Sequence, residues 1–155
     1  MHHMYAYHTK FGKMMIVDDG EAITHLCIVE KVVKKDYIVE ETSLIQEAAK
    51  EVNEYFDGER KSFEFPIAPQ GTLFQQKVWQ ALQQIPYGET RNYKQIAEVI
   101  GQPKAARAVG MANNKNPILL AIPCHRVIGS NGQLIGFAGG LFMKETLLNL
   151  EQKIG

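Results

Sequence analysis

A cysteine stands directly before a histidine in the segment of residues 122–127, whose sequence is IPCHRV. The thiolate form of a cysteine is the nucleophile, and a neighbouring imidazole or guanidinium lowers the pKa of the thiol. Cys124, His125 and Arg126 therefore supply the residue types that nucleophilic catalysis needs. Successive residues of a regular strand point to opposite faces, so His125 can assist Cys124 only if the backbone bends after Pro123 or if a water molecule bridges the two side chains.

The composition favours a folded chain of a reducing compartment. A length of 155 residues suits one domain, or one small lobe joined to one compact domain, and 45% hydrophobic content is enough for a buried core. Two cysteines are too few for a disulfide framework, so Cys27 is expected to be a small core residue and the protein to be cytoplasmic. We expect no membrane association and no signal peptide, because no apolar run approaches the roughly 20 residues that cross a bilayer. Lys+Arg 17 against Asp+Glu 17 argues against binding nucleic acid by bulk charge alone, but leaves a local basic face open.

The first part of the chain predicts a small lobe of strands and one helix. Apolar runs flank the turn tripeptide Asp18-Asp19-Gly20, which predicts a hairpin of residues 13–17 and 22–29. A more charged strand is expected over residues 31–39.

A helix follows these strands. Ser43 with Gln46 three residues later resembles a capping box, and apolar residues then recur at helical spacing until Asp57-Gly58. Residues 63–70 contain two prolines and no helical period, which predicts an extended linker.

The second part of the chain predicts a mostly helical domain. Thr72 with Gln75 predicts the cap of a first helix. A second, short helix ends at Gly101 and Pro103 fits the first turn of a third, so these two helices predict a helix-turn-helix. That signal is weak by itself, because helix pairs of this kind also pack plain cores. Further predicted elements are a buried run over residues 118–122, a hairpin over 127–135 with an Asn-Gly turn, and a last helix over 141–151.

The fold class follows from this order of elements. We predict an α+β fold, with a small N-terminal αβ lobe of antiparallel sheet plus helix over residues 1–66. A linker over residues 67–71 joins it to a mostly helical domain with a helix-turn-helix over residues 72–155.

One arginine in the third helix of this domain stands among small residues. Arg107 is flanked by Ala105, Ala106, Ala108 and Gly110. Small side chains let a helix lie close to another surface while the arginine projects beyond them, which suits insertion into a narrow groove. The residue alone favours the simpler interpretation, a solvated charge on a helix.

The segment IPCHRV resembles the active-site hexapeptide of the O6-alkylguanine-DNA alkyltransferases, also called methylated-DNA–protein-cysteine methyltransferases. Further motifs stand in the family's order and spacing over about residues 72–152: Tyr87-Gly88-Glu89 with Tyr93, residues 103–110, Asn116-Pro117, Gly139-Gly140-Leu141, and Lys144-Glu145 to Glu151. Together these motifs are highly specific, whereas the first 70 residues match only as a generic αβ lobe.

The resemblance implies a repair reaction in which Cys124 takes the alkyl group from guanine O6 and keeps it, so that each molecule acts once. It further implies that His125 is the base, acting through a water molecule, and that Glu151 accepts the other imidazole N–H. Tyr93 would assist the departing guanine at N3, and Asn116 would brace the turn that carries the reactive segment. O4-alkylthymine is a possible second substrate.

The resemblance implies double-stranded DNA carrying O6-alkylguanine as the partner, bound through the minor groove by a monomer. It also implies that the alkylated nucleotide is flipped out of the stack and that Arg107 fills the space that it leaves. The other residues implied in DNA binding are Lys104, Ala105, Ala106, Gly110, Asn113 and Asn114.

The pocket for the flipped base is expected to use Tyr93, Leu119, Val127, Phe137, Ala138 and Gly139. Many relatives carry tyrosine at the position of Phe137 and serine at that of Ala138, so the hydroxyl contacts of those residues are missing here. No cofactor is expected. No metal is expected either, because His2, His3, His8, His25 and Cys27 do not match the zinc ligands of some family members. A loop or tag-like role is expected for the N-terminal histidines.

Two other functions stay open from the residues. A thiol hydrolase would use Cys124 to form an acyl intermediate and would turn over, but it needs an oxyanion hole. A lesion sensor without chemistry would resemble the alkyltransferase-like proteins, which replace the reactive cysteine that is intact here.

Overall fold

A four-stranded sheet and one helix form the first part of the molecule. The computed structural model describes residues 1–29, 36–129 and 140–154. The chain divides into two compact units, one of Met1–Gln70 with Pro117–Leu119 and one of Gly71–Asn116 with Leu120–Gly155. Together they have the α+β composition that the sequence predicts.

The sheet of the first unit is built on a meander. Its strands are β1 (His3–Thr9), β2 (Gly12–Asp18), β3 (Ile23–Val29) and β4 (Ile38–Val39), in the order β3-β2-β1-β4. The predicted hairpin is confirmed as the antiparallel pair β2–β3. The sequence analysis missed β1, which pairs antiparallel with β2 from His3 opposite Asp18 to Thr9 opposite Gly12, and β4 adds a short parallel edge.

The helix α1 (Ser43–Phe56) covers this sheet with one apolar face. Its cap is Thr42 and not Ser43, because the Thr42 hydroxyl accepts the Ile45 N–H and also donates to the carboxylate of Asp18 at the end of β2. A sequence pattern can place a cap one residue away when a tertiary partner selects the neighbouring hydroxyl. The buried residues of α1 include Ile45, Ala48, Ala49, Val52 and Tyr55.

Two segments pair with β3 inside the first unit. The predicted linker is extended, but it is bonded to the sheet: Ile23 donates to the carbonyl of Pro66 and accepts from Ala68, both at 2.8 Å. Leu26 holds residues 117–119 in the same way, donating to Pro117 at 2.9 Å and accepting from Leu119 at 2.8 Å.

The second unit is mostly helical. Its helices are α2 (Leu73–Leu82), α3 (Tyr93–Val99), α4 (Ala106–Asn114) and α5 (Leu141–Ile154), and a 3₁₀ helix runs over Cys124–Arg126. Two short strands, β5 (Arg91–Asn92) and β6 (Val127–Ile128), pair in parallel. The capping box of Thr72 and Gln75 is confirmed, and Asn92 with Gln95 forms a second one at α3.

The predicted helix-turn-helix is the pair α3 and α4, which pack against each other and against α2. Gly101 lies at φ +76° in the turn, a conformation that favours glycine. Pro103 does not open the third helix: α4 begins three residues later, at Ala106. The predicted hairpin beyond residue 129 falls on residues outside those that the structure describes.

A buried tryptophan joins two of these helices. The indole N–H of Trp79 in α2 donates to the carbonyl oxygen of Ala112 in α4 at 2.9 Å. Gly71 lies so close to this ring that a Cβ there would come within 2.5 Å of it. The position of α4, and of any side chain that it presents, therefore depends on this packing.

Candidate functional site

The backbone turns sharply at Cys124. Pro123 has φ −79° and ψ 65°, and Cys124, His125 and Arg126 then form a turn of 3₁₀ helix. Neighbouring residues of a 3₁₀ helix are about 120° apart around its axis, not on opposite faces as in a strand. The bend after Pro123 that the sequence analysis required is therefore present.

The loop ahead of Cys124 is held by one buried amide. The side chain of Asn116 donates to the carbonyl oxygen of Ile122 at 2.7 Å, across a segment in which Leu120 takes the positive φ of 74°. A non-glycine residue in this region is strained, so the loop needs such a restraint. The same side chain is hydrogen-bonded to the thiol of Cys124.

Cys124 is deeply buried, at 1% exposure. Burial raises the pKa of its thiol to about 11, against the smaller lowering effects of the Asn116 hydrogen bond and the charge of Lys144. The expectation that neighbouring His125 and Arg126 lower this pKa is wrong for the protein without DNA. Both of those side chains face a carboxylate instead.

That carboxylate is Glu151 of α5, which receives four donors. Its Oε2 lies 2.7 Å from Nε2 of His125 and 2.9 Å from Nη2 of Arg126. Its Oε1 accepts from Nε of Arg126 at 2.8 Å and from the backbone N–H of Gly88 at 3.4 Å. All three charged or titratable side chains are buried. Two donors on each oxygen hold the carboxylate in its ionised form.

This arrangement selects the tautomer of His125. An ionised carboxylate only accepts hydrogen bonds, so the Nε2–H of His125 donates to Glu151. Nδ1 is then the nitrogen that can take a proton. Burial lowers the pKa of His125 although Glu151 raises it, so the imidazole is neutral and ready to act as a base.

A buried lysine lies at the same site. Lys144 in α5 has 0% exposure, and burial lowers its pKa to about 8 while the nearby Cys124 opposes that shift. The sequence analysis did not select Lys144. A sequence signal was present, because Lys144 and Glu151 share one helical stripe with the apolar Leu147 and Leu148.

Tyr93 is the first residue of α3 and is half-buried. Burial raises its pKa, and the charge of Cys124 raises it further. A Cβ on Gly110 would lie 3.8 Å from the Tyr93 ring, so α4 packs closely over it. The structure thus brings Tyr93 to Cys124.

The residues implied in DNA binding fall into two groups. Arg107 in the first turn of α4 is exposed, as are Lys104 and Asn114, whereas Ala105, Ala106 and Gly110 are half-buried. Asn113 points inward: it is 1% exposed and its amide donates to the carbonyl oxygen of Cys124 at 3.4 Å. It occupies the core face of α4, three residues after Gly110.

Of the other predicted pocket residues, the structure describes Val127 and Leu119. Val127 is buried beside the 3₁₀ turn in β6. Leu119 is also buried, but it belongs to the first unit, where its N–H donates to Leu26. Phe137, Ala138 and Gly139 lie outside the described residues.

Of the N-terminal histidines, His3 and His8 lie in strand β1, whereas His2 precedes it. His3 lies in β1 with Nδ1 3.0 Å from Oδ1 of Asp18, so a loop role for it is wrong. Within residues 1–29, 36–129 and 140–154, no group of three or more His, Cys, Asp or Glu side chains is placed to hold a metal ion. Among the same residues, no helix has the length and apolar character needed to span a bilayer.

Two family models match most of the chain. The family described as 6-O-methylguanine DNA methyltransferase, DNA binding domain, matches residues 73–153, and the ribonuclease-like domain of the same description matches residues 3–69. The chain is 48% identical to a methylated-DNA–protein-cysteine methyltransferase of Methanosarcina acetivorans over 148 residues, covering 94% of this chain and 95% of that protein. It is 46% identical to the protein of that name from Mycobacterium leprae over 154 residues, covering 98% and 93%.

Solved structures that resemble this chain include those of a methyltransferase with the same fold. The Mycobacterium tuberculosis O6-methylguanine methyltransferase superposes with a TM-score of 0.92 at 40% identity, covering 100% of this chain and 95% of that one. A structure of the Mycobacterium tuberculosis protein in complex with DNA superposes with a TM-score of 0.92 at 41% identity, covering 99% and 94%.

Proposed function

The chain belongs to the methylated-DNA–protein-cysteine methyltransferase family, enzymes that repair DNA by moving a methyl group onto a protein cysteine, and we propose that Cys124 is the cysteine that accepts it. The observation that carries the proposal is the buried contact between His125 and Glu151, next to the thiol in the 3₁₀ turn. A neutral imidazole that donates its Nε2–H to the carboxylate keeps Nδ1 as its acceptor nitrogen, and such a base is what a buried thiol requires.

The substrate of the proposed reaction is O6-alkylguanine in duplex DNA. The sulfur of Cys124 attacks the alkyl carbon, an S–C bond forms, and the C–O6 bond breaks with its electron pair going to the guanine. The thiol proton passes to His125 through a water molecule, and the guanine takes a proton from Tyr93, which solvent restores. The product thioether has no leaving group, so each protein molecule reacts once.

The raised pKa of Cys124 gives the site a resting state. At neutral pH the thiol is protonated in the free protein, and the thiolate forms only as the proton moves to His125. The Asn116 hydrogen bond and the ammonium of Lys144 then stabilise the negative sulfur, in surroundings where a charge interacts strongly. Tyr93 supports the charge that develops on the leaving guanine.

DNA is engaged by the helix-turn-helix in this proposal. A base inside a duplex cannot reach a buried sulfur, so the nucleotide is flipped out, at a cost of a few kcal/mol. Arg107 is exposed at the start of α4 and can enter the minor groove and stack in the vacated position. The exposed Lys104 and Asn114 and the half-buried Ala105, Ala106 and Gly110 lie close to the DNA backbone. The protein acts as a monomer in the cytoplasm, with O4-alkylthymine as a second substrate.

Intact-mass spectrometry after incubation with a duplex carrying one O6-methylguanine tests the proposal. We expect one permanent gain of the mass of a methylene group per protein molecule, which Cys124→Ala abolishes while DNA binding persists. Cys27→Ala is the matched control and keeps the adduct. Demethylation with turnover and no adduct would indicate a hydrolase, and binding with no change in either molecule would indicate a sensor; transfer by Cys124→Ala refutes the assignment.

A further inference from the structure

Arg126 is locked against Glu151 in the interior of the second unit. Its Nε and Nη2 donate to the two oxygens of Glu151 at 2.8 Å and 2.9 Å. Its remaining donor, Nη1, reaches the carbonyl oxygen of Ile85 at 2.8 Å, and its guanidinium carbon lies 5.6 Å from the centre of the Tyr87 ring. Arg126 is only 7% exposed, so a planar cation is fixed against the carboxylate in a bidentate pair.

We propose that Arg126 is a positioning residue that sets the pH range of the methyl transfer, by balancing the negative charge that Glu151 presents to His125. The oxygen that accepts the His125 N–H, Oε2, is also the oxygen that accepts Nη2 of Arg126. An unbalanced carboxylate 2.7 Å from an imidazole favours the imidazolium, which cannot take a proton from a thiol. With Arg126 in place the pair is neutral as a whole, and His125 keeps the orienting hydrogen bond without being driven into its charged form.

The other titratable groups around His125, Lys144 and Cys124, do not change their charge over the pH range in which His125 titrates. Glu151 and Lys144 face it from α5, and Arg126 and Cys124 belong to its own turn. Lys144 has a pKa of about 8 and the thiol of Cys124 one of about 11, so both keep their protons over the acidic range in which His125 titrates. The charges of Lys144 and Cys124 therefore stay constant over that range, and variants of Arg126 and Glu151 change only the charges that this inference concerns.

The inference rests on the proposed function, because it requires His125 to accept a proton during transfer. Its test is the rate of methyl transfer from a duplex with one O6-methylguanine, measured between about pH 5 and pH 9. The acid limb is the part of the pH–rate profile in which the rate falls because His125 is protonated. In Arg126→Met we expect this limb to move up by about one pH unit, which is a tenfold loss of rate on it. In Glu151→Gln the cation faces His125 alone, so the acid limb moves down.

Two further variants separate charge from packing. In the double variant Arg126→Met/Glu151→Gln both charges are gone, so the acid limb returns close to the wild-type position. Arg126→Lys keeps the charge with fewer donors, so its limb stays near wild type although the rate falls. A role in packing alone predicts losses that are equal at all pH values and that add up in the double variant.

A second readout does not depend on activity. The titration of the His125 ring, followed by NMR in each variant, should move in the same directions as the acid limbs. If Arg126→Met does not fold, the His125 titration of Glu151→Gln compared with that of the double variant still tests the inference. If the His125 titrations and the acid limbs of these variants coincide with those of wild type, the inference is overturned. Should Cys124→Ala be inactive in the same experiment, the proposed function still stands without the inference. Methyl transfer by Cys124→Ala would instead refute the proposed function itself.

Discussion

Lys144 and Glu151 lie two helical turns apart on the buried face of α5, where one acts on the charge of Cys124 and the other bonds His125. In the proposed reaction a proton moves from Cys124 to His125, which creates a negative sulfur and a positive imidazole. The helix therefore presents a cation to the first and an anion to the second. A single element supplies both counter-charges of the reactive ion pair.

Lys144→Met should slow methyl transfer about tenfold at pH 7, because the thiolate loses a buried counter-charge. Single-turnover rates against pH check this result. The ratio of wild-type to variant rate should be largest below pH 8 and should shrink above it, because Lys144 itself loses its proton at about pH 8. A ratio that does not change with pH would contradict the electrostatic role.

The same variant should be more stable than wild type. The folded pKa of Lys144 lies at about 8, below its ordinary value of 10.5, so burying its charge lowers the free energy of unfolding. That cost is full below about pH 8 and shrinks as pH rises from there towards 10.5, since the folded protein then holds a neutral amine. We expect the unfolding midpoint at pH 7 to rise by about 3 °C or more. Lys50→Met, at an exposed position of α1, should leave it unchanged.

Asn116→Leu should reduce the transfer rate by about ten- to a hundredfold, because the amide bonds both the Ile122 carbonyl and the Cys124 thiol. Affinity for DNA should change little, since the amide is buried. Asn116→Ser keeps a donor and should recover part of the rate. Transfer kinetics with a binding assay on the same duplex decide the point; equal rates in the serine and leucine variants would count against a hydrogen-bonding role.

Arg107→Ala should reduce transfer from duplex DNA by about a hundredfold, the equivalent of the few kcal/mol that flipping costs. Reaction with free O6-methylguanine base should be unaffected, because that substrate needs no flipping. The unfolding midpoint should also be unchanged, since the side chain is exposed. Lys77→Ala removes another exposed cation, on α2, and is the control. Equal losses on duplex and free base would show that Arg107 does not act in base flipping.

Much of the fold follows from local signals. The capping box at Thr72, the hairpin around Asp18-Asp19-Gly20 and the glycine that ends α3 each depend on a few neighbouring residues, and each was predictable. The strand β1 was not, because its residues do not form a regular apolar alternation and pair only through β2.

The site divides in the same way. The order of Cys124 and His125 and the resemblance around them were enough to propose Cys124 as the nucleophile and His125 as the base. The inward position of Asn113 was not predictable, because a helix of small and polar residues does not show from its sequence which face a neighbouring turn will cover.

The chain itself specified which side chains are available for chemistry, since a nucleophile, a base and a carboxylate are properties of residue type and order. Their protonation depends on packing. Helix α5, whose Lys144 and Glu151 follow Cys124 by 20 and 27 positions, packs against the 3₁₀ turn and shields it from bulk solvent. Electrostatic energies change severalfold between water and a protein interior, so the raised pKa of Cys124, the neutral His125 and the clamped Glu151 exist only once these distant segments have packed together.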